Sequence, residues 1–212
     1  MKKTVITSLS LLAAVSVFGQ GTINFTTKTT SATLGSVTAP IYGVNPADMS
    51  TIKQGNASTN GGSVDYTGHP LLAGTSFSAS LFGGPNDGAI VLGTGLATTT
   101  FRTQATLAGF VNPPVGPAPG IVGVDAGGAA RLQIRAWDNK GGTVTTWADA
   151  LLRQDVAKGI SATFTSLPLG GGTLQPPNLQ GLTSFNLTVV PEPGVIALGV
   201  LGLGALLLRR RK

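Results

Sequence analysis

The sequence predicts an all-β protein: an antiparallel β-sandwich or jelly roll, preceded by a signal peptide and followed by a C-terminal transmembrane helix. Three observations carry that expectation. Between residues 20 and 188 the chain is dense in Gly, Thr, Ser and Pro, and short runs within it alternate apolar with polar residues, the period-two signature of half-buried strands. The two ends differ from this middle, each being a continuous apolar stretch beside a basic cluster. Finally, none of the 212 residues is cysteine. Stability must then come from an ordinary core, and thiol nucleophiles, thiolate zinc sites and iron–sulfur clusters are excluded. The expected organisation is a signal peptide over residues 1–19, an exported domain over 20–188 and a C-terminal tail over 189–212.

At the N-terminus, MKKTVITSLSLLAAVSVFGQG sets Lys2 and Lys3 before an apolar run and small residues after it, the layout of a secretory signal peptide. Cleavage is expected between Gly19 and Gln20, with the Sec translocon as the implied partner. Strands are then expected at TINFT, PIYGV, SVDYT, SFSASLF, AIVLGTG, TTFRT, ARLQIRAW, ISATFTS and TSFNLTVV. In SFSASLF, Phe77, Ala79 and Leu81 fall on one face and serines on the other; in ARLQIRAW, Leu132, Ile134 and Ala136 alternate with Arg131, Gln133 and Arg135. The one helical candidate is WADALLRQDVAKG, with Trp147, Ala150, Leu151 and Val156 on a shared face and Gly159 ending it. Residues 112–120 and 167–181, rich in Pro and Gly, read as surface loops.

The charge of +6 at pH 7 sits at the two ends. Lys2, Lys3, Arg209, Arg210, Arg211 and Lys212 account for six of the 14 basic residues, leaving eight against seven aspartates once Glu192 is set aside. Those eight are scattered singly, so there is no basic stripe to follow a phosphate backbone, and no nucleic-acid partner is expected.

The tail reads VVPEPGVIALGVLGLGALLLRRRK. Residues 194–208 are uncharged and apolar. As a helix they would extend about 22 Å, short of the roughly 30 Å hydrocarbon core, so alone they are a marginal span. Arg209, Arg210, Arg211 and Lys212 form the membrane stop, held on the cytoplasmic side by the positive-inside rule. Pro191 and Pro193 keep the preceding segment out of the helix and extended at the bilayer surface, where its peptide bonds are open to a protease.

Pro191, Glu192 and Pro193, then a short apolar segment, then an Arg-rich end: this order resembles the PEP-CTERM sorting signal of exopolysaccharide-producing Gram-negative bacteria. The signal peptide and the opening GQGTINF are similar to exported PEP-CTERM proteins of Verrucomicrobia-like bacteria, and the same C-terminal element occurs in some exported ice-binding proteins. The resemblance covers residues 189–212. It implies recognition and cleavage by exosortase, an integral-membrane cysteine protease, with Pro191, Glu192 and Pro193 as the sorting motif and exopolysaccharide as a partner outside the cell. The localisation it implies is a transient single-pass inner-membrane intermediate, then the cell surface or extracellular matrix.

Catalytic chemistry is sparse. His69, the only histidine, precedes a proline in a turn-like context, and Gly74-Thr75-Ser76-Phe77-Ser78 lacks the second glycine of a nucleophile elbow. Seven scattered aspartates supply no paired carboxylates for glycoside hydrolysis and no EF-hand spacing. No catalytic residue, metal site or cofactor is therefore expected. Tyr42, Tyr66, Trp137 and Trp147 are the aromatics available for sugar stacking, with Trp137 and Trp147 the ligand-contact candidates, although a sandwich core would use the same residues. The expected function is that of a non-enzymatic surface or matrix protein; the alternative is a glycan-binding module or weak hydrolase permanently anchored in the inner membrane.

Overall fold

The computed structural model describes residues 19–87 and 96–189. Within them the chain is mostly β, with few helical residues. The strands are β1 (Gln20–Thr22), β2 (Lys28–Thr29), β3 (Val37–Thr38), β4 (Ile41–Tyr42), β5 (Phe77–Pro85), β6 (Ala97–Thr100), β7 (Gly120–Asp125), β8 (Ala130–Asp138), β9 (Lys158–Ile160), β10 (Phe164–Thr165) and β11 (Phe185–Asn186). One α-helix, α1 (Trp147–Leu151), and two 3-10 turns join them.

The period-two runs form the centre. β5 and β8 pair antiparallel along their whole length, from Phe77 opposite Asp138 to Pro85 opposite Ala130. β6 extends this sheet beyond β5, while β9 and β10 both pair with β8. Ala79, Leu81, Leu132, Ile134 and Ala136 project from one face into the main core, where they meet Ile23, Ile41, Ile121, Leu169, Phe185 and Leu187. These partners come from the two-stranded pairs β1–β7 and β4–β11 and the loops between them.

The other face is buried too, contrary to the alternation in SFSASLF. Ser78 is 7% exposed and Ser80 2%. Residues 139–156 fold back over this face, and Phe82, Trp137, Val144, Trp147, Ala150 and Val156 form a second apolar cluster. The serines tolerate burial because they are bonded: Ser80 Oγ donates to the Ala97 carbonyl at 3.0 Å, and Ser78 Oγ accepts from Asn139 Nδ2 at 3.2 Å.

Other expectations are corrected. β11 runs parallel to β4, with Phe185 opposite Ile41 and Asn186 opposite Tyr42, so the architecture is not purely antiparallel. Residues 167–181 are no surface loop: Leu169 and Leu179 are fully buried, and Thr22 and Gly170 exchange two backbone hydrogen bonds of 2.9 Å. Such pairing lets irregular backbone enter a core. SVDYT forms no strand and TINFT contributes only Thr22 to β1, whereas GIVGVD, not expected as a strand, is β7. Residues 89–95, expected as a strand, lie outside the described residues; the flanking Leu96 amide donates to the Leu81 carbonyl. Among the described residues no helix is long and apolar enough to cross a membrane.

Candidate functional site

The helical candidate WADALLRQDVAKG becomes three different things, and together they build a groove. Thr146, extended at φ −123° and ψ 158°, opens α1 with a capping box. Its Oγ1 accepts from the Asp149 amide at 3.1 Å, and the Asp149 carboxylate accepts from the Thr146 amide at 3.2 Å. The helix stops at Leu151, far short of Gly159. Lys158 Nζ turns back to donate to the carbonyls of Ala150 at 3.0 Å and Arg153 at 2.6 Å, satisfying the helix end. Burial lowers the Lys158 ammonium's pKa, opposed by the charge of Asp155.

Lys158 and Gly159 then enter β9, opposite Trp137 and Ala136. Gly159 passes so close to β11 that a Cβ there would run into the Asn186 carbonyl. Asn186 is the hub of this contact. Its Oδ1 accepts from the Lys53 amide at 2.6 Å, and its Nδ2 donates to the carbonyls of Thr51 at 2.9 Å and Leu187 at 3.0 Å. The exposed 51–54 segment is thereby clipped to the fold beside β9.

The resulting groove has a volume of about 520 Å³. Trp147 and Asn186 line its floor, and Ile52, Leu151 and Ile160 stand on its rim at 70%, 56% and 38% exposure. Its polar side chains are mostly engaged by backbone: Gln54 Nε2 donates to the Ile160 carbonyl at 2.8 Å, Gln133 Nε2 to that of Ser161 at 3.3 Å, and Ser161 Oγ to that of Ala162 at 2.8 Å. Such a lining offers mainly apolar contact.

The tryptophans proposed as ligand contacts are core residues. Trp137 is fully buried and its Nε1 donates to the Val144 carbonyl at 2.9 Å. Trp147, 6% exposed, meets it edge-on at 6.1 Å between centroids and is among the residues lining the groove. They are buried because residues 139–156 cover the sheet face that the sequence leaves open to solvent. Tyr42 and Tyr66 are buried as well, stacked at 3.9 Å and 7°, with the Tyr66 hydroxyl donating to the Gly55 carbonyl at 2.9 Å. His69 closes a turn on Tyr66, and its Nδ1 lies 3.0 Å from the Gly43 carbonyl.

Comparison with protein-family models, with curated proteins and with solved structures finds no match for this chain.

Next to the groove is a group the sequence did not mark. Arg135 is 5% exposed and forms no ion pair among the described residues. Its guanidinium lies 4.1 Å over the Phe82 ring and 5.7 Å from that of Trp147, while Nε donates to Gln133 Oε1 at 2.9 Å. Burial lowers its pKa. The signal in sequence was faint, an arginine at an alternating strand position where solvent was expected. Among the described residues no group of three or more His, Asp or Glu side chains is gathered as a metal ion would require.

Gly19 and Gln20, the expected cleavage pair, stand at the edge of β1: the Gly19 carbonyl accepts from the Ala126 amide at 2.9 Å, and Gln20 lies opposite Asp125. Pro191, Glu192, Pro193, Arg209, Arg210, Arg211 and Lys212 lie outside the described residues, as do residues 1–18.

Proposed function

We propose that the chain is an exported, non-enzymatic surface or extracellular-matrix protein, carried by its signal peptide through the Sec translocon and sorted through its C-terminal tail by exosortase. The observation that carries this reading is the tail itself, Pro191, Glu192 and Pro193 ahead of an apolar segment and a basic end. Its position relative to the fold supports it. The last backbone pairs join Thr188 with Lys158 in both directions, at 2.9 and 3.0 Å, and Val189 with Met49 at 2.9 Å. The motif follows two residues later, so a cut within or beyond it would leave every described contact in place. The domain is the cargo, which we read as a β-sandwich, with the five-stranded sheet as one layer and the short strand pairs across the main core as the other. Polysaccharide outside the cell is the partner this destination implies.

Intact-mass spectrometry of the protein from native cells, separated into membrane, surface and medium fractions, tests the proposal. A species beginning near Gln20, lacking Arg209 to Lys212 and found outside the inner membrane is expected. A species keeping that basic end in the inner membrane of cells with active exosortase would overturn it and make the tail a permanent anchor.

A further inference from the structure

The exposed apolar side chains of this domain are unevenly placed. Of nine large hydrophobic side chains exposed among the described residues, Ile52, Leu151 and Ile160 line the groove, Leu152 follows Leu151 at the end of α1, and Met49 lies where the chain leaves the fold. The chain leaves the fold at the same place: Thr188 lines the groove, and the Val189 amide donates to the Met49 carbonyl. From Val189 to Gly194, where the apolar tail begins, the chain advances five residues, at most about 18 Å even when fully extended. That reach is less than the roughly 30 Å diameter of a small domain. While the tail is in the bilayer, the groove end of the domain stays within about that distance of the lipid.

From this placement we propose that the groove face is a lipid-contact surface, with Ile52, Leu151, Leu152 and Ile160 seated in the bilayer interface while the tail is inserted. The inference rests on the tail's insertion as proposed above. The contact is apolar in character. Lys158 Nζ keeps its charge but donates inward, to the carbonyls of Ala150 and Arg153, and Arg153 pairs with Asp155 at 2.9 Å, so the donors of both are engaged within the protein. Binding of this kind follows buried apolar area and is weakly screened by salt. Seating the domain would also hold the segment around Pro191, Glu192 and Pro193 close to the membrane surface, within reach of a membrane-embedded protease.

The chain has no cysteine, so a single introduced one is a unique label. The full-length protein is reconstituted in vesicles of phosphatidylethanolamine and phosphatidylglycerol as Ile52→Cys, Leu152→Cys, Val115→Cys or Val122→Cys, each carrying an environment-sensitive fluorophore. All four positions are exposed, and Val115 and Val122 lie on the 112–120 loop and on β7, outside the groove. Expected are a blue shift and quenching by spin-labelled lipid at 52 and 152, absent at 115 and 122 and unchanged between low and high salt. Vesicle flotation and protection of the basic end from protease report tail insertion separately. Insertion with labels at 52 and 152 matching the reference positions overturns the lipid contact and leaves the sorting proposal standing. Failure to insert overturns both. A blue shift at 52 and 152 that follows protein density and ignores the lipid quencher assigns the face to a second copy of the chain and overturns the proposal.

Discussion

Asn186 and Arg135 show how single side chains fix this fold in opposite ways. The Asn186 amide makes three hydrogen bonds from a side chain 2% exposed, tying the Thr51 and Lys53 backbone to β11. Alanine would remove all three and free the part-buried Thr51 carbonyl and Lys53 amide as well as the buried Leu187 carbonyl, at roughly 1–3 kcal/mol for a group left without water or partner. Asn186→Ala should therefore destabilise by at least about 2 kcal/mol in urea unfolding, with accelerated hydrogen exchange at the Lys53 amide. Arg135 is a buried cation whose described contacts are aromatic faces and one amide oxygen. Its aliphatic stem fills space, whereas its charge is desolvated without a counter-ion, so shape and charge act against each other. Arg135→Met should hold or raise the midpoint of thermal unfolding. Arg135→Ala should lower it, by about 1–3 kcal/mol at the midpoint, through the cavity left between Phe82 and Trp147. Equal losses in both variants would assign the stabilisation to the cation over Phe82 instead.

The element that shapes the groove is α1, too short to persist alone and so dependent on its ends. Thr146→Ala and Asp149→Ala each break the reciprocal cap and should cost about 1 kcal/mol, while the double variant costs clearly less than the sum. Additive losses in a thermal double-mutant cycle would show that the two halves act independently. β9 sets a second limit. Gly159→Ala forces β9 and β11 apart at the Asn186 carbonyl, a steric cost of about 1–3 kcal/mol. The two central strands were legible because each carries a long alternating run, and nine register pairs follow from that pattern. The helix was overextended because Leu151 and Val156 share the apparent helical period, yet Val156 is buried in the second cluster and Leu151 is 56% exposed. Periodicity does not register a cap such as Lys158, which reaches back from the next strand. Nor could local pattern find the groove, since Ile52, Leu151, Ile160 and Thr188 meet only through the pairing of β9 with β8 and the parallel placement of β11.

At the scale of the whole molecule, pH acts on a small set of groups. Asp48 is held below the ordinary 3.8 mainly by the Thr51 hydroxyl, Asp65 by that of Thr67, and Asp155 by the Arg153 guanidinium. A carboxylate with a lowered folded pKa binds fewer protons folded than unfolded, so its contribution is present above the unfolded value and lost as pH falls through the folded one. At the alkaline side, burial raises Tyr42 and, further, Tyr66, whose neighbour Tyr42 adds to the effect. Above the ordinary 10.0 the unfolded chain releases phenolic protons that the folded one keeps, so stability falls as pH rises. Lys158, lowered by burial, works in the opposite sense just below its ordinary 10.5. Between these limits the thermal midpoint should be nearly level from about pH 5 to about pH 9, declining below 3.8 and again above 10. A calorimetric series across that range checks both edges. Tyr66→Phe should flatten the alkaline decline and leave the acid one unchanged, at the expense of the hydroxyl's bond to the Gly55 carbonyl. An alkaline edge that persists undiminished in Tyr66→Phe would move its origin away from the stacked tyrosine pair.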